Sequence, residues 1–400
     1  MSLILALGLV LVFGSFMGRM AEKIRLSSIV GFLACGIVIG SVWPGVTQFI
    51  TDDGISTFTT IGLAMIAFMI GEELYLPKLK LMGKETLKVV FIQALVTMLL
   101  VATVTVVLGN SVSLGLILGA IAAATAPATA FMVTKKYRTS GQLTQMLLPI
   151  VALDDAVSIV FFTVAMAVGT VVEGITGGIA SAIGLAAWEL FGSLALGLAI
   201  GLVMSYIVRF TKGGDELRTM VIGMIFVAAG AAMRMHVSAI MTCMVAGGTI
   251  TNLLSENRAR KLLSAVDRFV PPIYVVLFTF AGVLFDWRLF CLYIPLFAAY
   301  ILVRILGKVL GVKLAFVANK DGRTVGNYLG IALLSQAGLA VGLTLAVRGF
   351  LGEYEALVIT MIVPAVLVFE VISPPLMKFV LRKAGEIAVT CQGDETSQAS

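Results

Sequence analysis

The apolar residues of this chain come in runs too long and too numerous for one water-soluble core. Thirteen runs lie at approximately 2–18, 26–47, 55–77, 87–109, 112–134, 143–169, 186–208, 217–233, 236–255, 269–285, 289–312, 324–347 and 355–381. Each is close to the ~20 residues with which a helix crosses a bilayer core of about 30 Å. Only 12% of the residues are charged, against roughly 25% in soluble domains, so a soluble fold would have little to place on its surface. The pattern predicts an all-α polytopic membrane protein with thirteen transmembrane helices. The first run has neither the basic flank nor the small-residue cleavage site of a secretory signal, and reads as a retained helix.

The charges support the count independently. Cytoplasmic loops collect Lys and Arg. Alternate connections hold Arg19, Lys23 and Arg25; Lys78, Lys80, Lys84 and Lys88; Lys135, Lys136 and Arg138; Arg209, Lys212 and Arg218; Arg258, Arg260, Lys261 and Arg268; Lys313, Lys320 and Arg323. Lys378, Arg382 and Lys383 follow the last run. The opposite side holds Arg234, Arg288 and Arg348 only. This alternation predicts an odd number of spans in a multi-pass cell (inner) membrane protein, with the N-terminus outside and the C-terminus cytoplasmic. The net charge of +6 then follows from topology and implies no nucleic-acid partner. Residues 1–383 form the predicted transmembrane domain: helices 1–6 (approximately 1–170), a linker helix 7 (186–208) and helices 8–13 (217–381). The polar segment 384–400 is expected to be a disordered cytoplasmic tail, leaving no length for a soluble regulatory domain.

No CxxC, HExxH or GxxxxGK motif occurs, and the chain has one histidine, so neither a metalloenzyme nor a nucleotide hydrolase is indicated and no cofactor is expected. Cys35, Cys243, Cys291 and Cys391 show no paired spacing and read as small packing residues.

The chemistry therefore rests on polar groups inside the apolar runs. Asp154 and Asp155 sit mid-run in VALDDAVSIVFF, where one aspartate costs about 2.5–3.5 kcal/mol on insertion scales. Neighbouring residues on a helix point about 100° apart, so one carboxylate can face a cavity while the other faces a partner helix. Arg304 and Lys308 lie four apart in AAYILVRILGKVLGV and share a helix face. Lys308 can exchange a proton, act as an internal counter-ion, or snorkel to the cytoplasmic interface. For Arg304 the simplest reading is a structural salt bridge. Glu370, in VLVFEVISPPL, is a candidate partner for a basic group in the core. Glu72 and Glu73 are expected to pair with Lys78 or Lys80 at the interface. Glu189, at the outer end of span seven, is expected to meet water, and His236 reads as an incidental loop histidine.

Two runs carry helix-breaking composition at mid-membrane: GAIAAATAPATAFMV, with Thr125, Pro127 and Thr129, and GIALLSQAGLAVGL, with Ser335, Gln336 and Gly338. Broken helices leave backbone groups unpaired, tolerable only around a cavity or ion site. A pair of them in corresponding positions of two halves marks a transporter's binding site. Spans 1–6 and 8–13 are equal in number and opposite in orientation, so spans five and twelve correspond.

Together these features resemble the monovalent cation/proton antiporter superfamily, in its electrogenic Asp-Asp branch, similar to the NhaA and NapA sodium/proton antiporters. Asp154-Asp155 follow the Thr-Pro break, Lys308 in LGKVLG precedes the second break, and Thr125 and the GEELYL stretch at 71–76 also match. Ala126 stands where several members carry an acid, removing one auxiliary ligand. The resemblance implies an NhaA-like fold of inverted six-helix repeats with two crossed discontinuous helices. It implies exchange of Na⁺ (or Li⁺) for H⁺ by an elevator motion of spans 4–6 and 11–13 against a dimeric scaffold, with two protons moved per sodium. Asp155 would be the shared ion and proton site. Na⁺ would be held by Asp155, Asp154 and Thr125, with Thr129 and freed backbone carbonyls as further oxygen donors, and Lys308 would pair with Asp154 when sodium is absent. K⁺/H⁺ exchange or K⁺ efflux, a channel, a sodium-coupled organic-anion symporter and an intramembrane aspartyl protease are the alternatives.

Overall fold

The computed structural model describes residues 3–24, 26–43, 53–172, 179–211, 215–317, 323–347 and 354–387. Arg25, Lys212, Lys320, Arg348 and Cys391 lie outside them, as do 388–400. In chain order the described helices are α1 (Leu3–Lys23), α2 (Ser28–Val42), α3 (Asp53–Ile70), a 3₁₀ turn (Gly71–Leu74), α4 (Leu76–Leu81), α5 (Gly83–Val107), α6 (Val112–Ala123), α7 (Pro127–Tyr137), α8 (Gln142–Val172), α9 (Ile179–Ile207), α10 (Asp215–Arg234), α11 (Ala239–Leu253), α12 (Glu256–Asp267), α13 (Val270–Val283), α14 (Trp287–Leu292), α15 (Ile294–Ala315), α16 (Arg323–Ala332), α17 (Gly338–Ala346) and α18 (Tyr354–Lys383).

Every apolar run predicted from sequence carries a helix or a helix pair. Among the described residues, eight helical stretches are long and apolar enough to cross a membrane, and α2, α11 and α13 are shorter apolar helices. The protein is thus an all-helical, multi-pass membrane protein with about eight candidate spans by length and composition. Two expectations shift. Helix α12 falls in no predicted run because its sequence is amphipathic. It buries Ala259, Leu262, Leu263 and Val266 while Arg258 and Lys261 stay exposed. Span eleven, expected from residue 289, starts at Ile294 after the separate short helix α14, which moves Lys308 toward the middle of α15.

Small residues set the helix spacing, as they do where lipid supplies no drive to associate. Helices α2 and α13 meet backbone to backbone: a Cβ on Gly36 would lie 2.0 Å from the Thr279 carbonyl, and one on Gly282 2.3 Å from the Leu33 carbonyl. Helix α5 is gripped in the same way from two sides. Gly119 of α6 lies against Met98, and Gly307 and Gly311 of α15 lie against Thr97 and Gln93. That grip brings Gln93, Lys308 and the end of α6 together.

One buried cluster draws on α5, α7, α8, α15, α16 and α18, with Val90, Val133, Ile150, Val312, Leu329 and Val380 among its members. The expected tail begins later than Ala384: Glu386 accepts hydrogen bonds from the Leu143 and Thr144 backbone N–H groups at 2.6 and 2.8 Å, and from the Thr144 hydroxyl at 2.6 Å. It thus satisfies donors that the start of α8 leaves free. The expectation for 388–400 falls outside the described residues.

Candidate functional site

Helix α6 stops at Ala123, and the chain is extended at Ala124 (φ −61°, ψ 141°) and Ala126 (φ −69°, ψ 114°) before Pro127 opens α7. Proline has no N–H and pushes the preceding residue out of the helical region, so the break is written into the sequence. The feature is a gap between two half-helices rather than a kink in one continuous helix. Helix α16 likewise ends at Ala332 and α17 begins at Gly338. The two extended segments meet: the Ala126 N–H donates to the Ser335 carbonyl at 3.0 Å, and the Ser335 hydroxyl donates to the Ala126 carbonyl at 3.0 Å.

Each break frees carbonyls at a half-helix C-terminus, where partial negative charge accumulates. The two intramembrane cations meet them. Arg304, fully buried, donates to the carbonyls of Ala122 (3.0 Å), Ala124 (2.8 Å), Leu334 (2.6 Å) and Ser335 (3.3 Å), and lies 4.3 Å over the Phe369 ring. It makes no salt bridge among the described residues. The salt-bridge expectation gives way because one planar guanidinium can serve both breaks at once. The freed carbonyls, expected as sodium ligands, are occupied by protein donors instead. The Gln336 amide nitrogen donates to the Ile121 carbonyl at 3.1 Å and to the Tyr300 hydroxyl at 3.0 Å.

Lys308 does not snorkel. It is fully buried and donates to the Ala123 carbonyl, to the Thr125 hydroxyl at 2.8 Å and to Asp154 Oδ2 at 3.0 Å. The Thr125 hydroxyl also lies 2.7 Å from Asp154 Oδ2 and donates to it. The other oxygen, Asp154 Oδ1, accepts from the Gln93 amide. Asp154 is therefore fully buried and met by three donors. Asp155, one residue on and 7% exposed, differs sharply: its Oδ1 has no hydrogen-bond partner. One carboxylate is thus saturated by donors, and the other keeps an unpartnered oxygen among the described residues.

Glu370 is 3% exposed, but its partner is the Thr129 hydroxyl at 3.2 Å rather than a basic group. This occupies Thr129, expected as an ion ligand, and ties α18 to the first turn of α7. At the interface Lys78 reaches Glu73 at 2.6 Å, as the spacing predicts. Gln93 and Tyr300 were not singled out from sequence. A lone Gln in the apolar run of α5 was the available signal for Gln93. For Tyr300, one turn before Arg304 on the same face, sequence offers nothing beyond position. Among the described residues no group of three His, Cys, Asp or Glu side chains could hold a metal ion.

Comparison with known proteins gives consistent results. The family described as sodium/hydrogen exchanger, transmembrane, matches residues 8–383. The ammonium/H(+) antiporter subunit AmhT of Alkalihalophilus pseudofirmus is 23% identical over 352 residues, covering 86% of this chain and 83% of that protein. The sodium proton antiporter MjNhaP1 of Methanocaldococcus jannaschii, in its structure at pH 8, superposes with a TM-score of 0.78 at 20% identity, over 95% of this chain and 98% of that one. An electron-microscopy structure of the same antiporter gives 0.73 at 20% identity, over 96% and 98%.

Proposed function

The chain belongs to the sodium/hydrogen exchanger family, a family of membrane transporters rather than enzymes, and from that premise we propose that it exchanges a small monovalent cation for protons at Asp155. The observation that carries this is the open Oδ1 of Asp155 beside a saturated Asp154. A carboxylate that must release and rebind cargo cannot be locked by permanent donors. A carboxylate that organises the site must be.

In this reading Na⁺ or Li⁺ is dehydrated in part and held by Asp155, with water completing its shell, and a proton replaces it on the return leg. Asp154 joins the ion only when Lys308 lets go of it. Loss of the Lys308 ion pair on cation binding frees Lys308 to release a second proton, so transport is electrogenic. The wider architecture follows the same reading: thirteen spans, N-terminus outside, inverted six-helix repeats crossing at 124–126 and 333–337, and a dimer. The cluster shared by α5, α7, α8, α15, α16 and α18 is the moving body of an elevator. A second reading concerns cargo alone. The Alkalihalophilus relative is an ammonium/H(+) antiporter subunit, and ammonium carries the same charge as Na⁺, so it is the alternative cation.

Purified protein in liposomes, challenged with Na⁺, Li⁺, K⁺ and ammonium gradients while internal pH is followed, tests the proposal. Na⁺ or Li⁺ is expected to drive proton flux, with a membrane potential that K⁺ and valinomycin collapse. Ammonium-driven flux above that of D155N liposomes would select ammonium instead. Flux without any potential would overturn the two-proton stoichiometry and leave antiport standing.

A further inference from the structure

A cavity of about 460 Å³ lies on the side of the molecule away from the Lys-rich loops. Its lining includes Thr59 of α3, Phe162 and Thr163 of α8, Glu189 of α9, Ser238 at the start of α11 and Ala346 at the end of α17. Three features give it a direction. First, α8 also carries Asp155, and Phe162 lies seven residues on, about 10 Å along the helix axis. The cavity therefore sits directly beyond the exchange carboxylate. Phe162, 5% exposed, lines the cavity on the helix that carries Asp155. Second, the last turn of α17 reaches the same cavity through Leu345 and Ala346 and brings to it the partial negative charge of a helix C-terminus. Third, among the described residues Glu189 is the one carboxylate of the lining; it is half-buried, and no described donor reaches its side chain.

The hydroxyls beside it are ordered by other work. Thr163 lies 3.3 Å from the Ser238 hydroxyl, Ser238 accepts from the Met241 N–H at 3.2 Å, and the Ser238 N–H donates to Ser193 at 3.0 Å. These bonds fix the wall and leave the Glu189 oxygens as its unspent acceptors. His236 and Arg234 are exposed at or near the rim. His236 holds a left-handed backbone conformation (φ 53°) that turns the chain from α10 into α11.

We propose that this cavity is a collecting site on the outer face, where Glu189 holds a partly hydrated monovalent cation before it passes Phe162 to Asp155. The assignment deepens the antiport reading and rests on it for the direction of travel. A cation that keeps part of its water needs volume and one negative charge rather than a tight cage. A cavity of several hundred Å³ with a single unpaired carboxylate provides both.

Two measurements test it. The full-length protein is reconstituted in liposomes sorted for one orientation, and the apparent KM for Na⁺ is measured with Na⁺ presented at either face. E189Q should raise KM at the Glu189 face roughly tenfold, the low end of what a charged cleft adds to local ion concentration. It should leave KM at the Lys-rich face unchanged, and E189D should retain most of the native value. An unchanged KM at the Glu189 face, or equal changes at both faces, overturns the proposal. Independently of transport, a water-soluble carbodiimide should modify Glu189, as read by mass spectrometry, and Na⁺ should protect it in both native protein and D155N. Protection in native protein that fails to exchange protons would sustain the site and sink the antiport reading. Modification unaffected by Na⁺ would sink the site and leave antiport intact.

Discussion

At the scale of residues, the site is a buried network in which each cation is matched to acceptors and only one carboxylate is left open. Lys308 and Asp154 form a fully buried ion pair at 3.0 Å. Removing one partner of such a pair costs about 3–5 kcal/mol, mostly from the charge left behind, while replacing both costs far less. K308M should therefore lower the melting temperature in detergent markedly, and D154N/K308M should recover most of the loss. Equal destabilisation by the single and double variants would contradict the pairing. Arg304 offers a second case. R304M would strand up to three buried carbonyls, those of Ala122, Ala124 and Leu334, at about 1–3 kcal/mol each, so it should fail to accumulate as folded protein, whereas R304K should accumulate with reduced stability. Asp154, Asp155, Thr125 and Lys308 were legible because a charge in an apolar run, or a Thr before a Pro, stands out against its neighbours. The partners of Arg304 and Glu370 were not. Backbone acceptors and a threonine hydroxyl decide them, and a sequence does not say which carbonyls a broken helix will expose in one place.

At the scale of elements, two breaks and a set of glycine contacts place that network. The first break was legible in full, since Pro127 fixes both the end of the extended segment and the first turn of α7. The second was legible only in part. Gly338 marks where α17 begins, but that Arg304 would staple 333–335 to 122–124 depends on α15 lying between the two, and the order of packing is not written in periodicity. The close approaches make a prediction. G282A would place a methyl 2.3 Å from the Leu33 carbonyl, against backbone that cannot rotate away. Its melting temperature should fall by the equivalent of about 1–3 kcal/mol, as overpacking does. G8A, with nothing within 4 Å of the added methyl, should change stability by less than about 0.5 kcal/mol, as for open surface sites. Comparable losses in both would contradict backbone contact between α2 and α13. Helix ends were the least legible feature: α14 is separate from α15, and Glu386 closes the start of α8 from 240 residues away in sequence, beyond the reach of any local pattern.

At the scale of the whole molecule, the apolar runs carried the class of protein, and the resemblance borne by Asp154-Asp155, Lys308, Thr125 and the two breaks carried the family, while the helix α12 and the cavity beside Glu189 emerge only in three dimensions. The account makes the crossing of two broken helices the place where a cation and protons compete for one carboxylate. The most direct measurement is Na⁺-driven proton flux in liposomes with native protein, D155N and K308A side by side. The account predicts flux in the native protein, none in D155N although it remains folded, and retained but altered charge movement per cation in K308A. Native-level exchange in D155N would contradict the central claim.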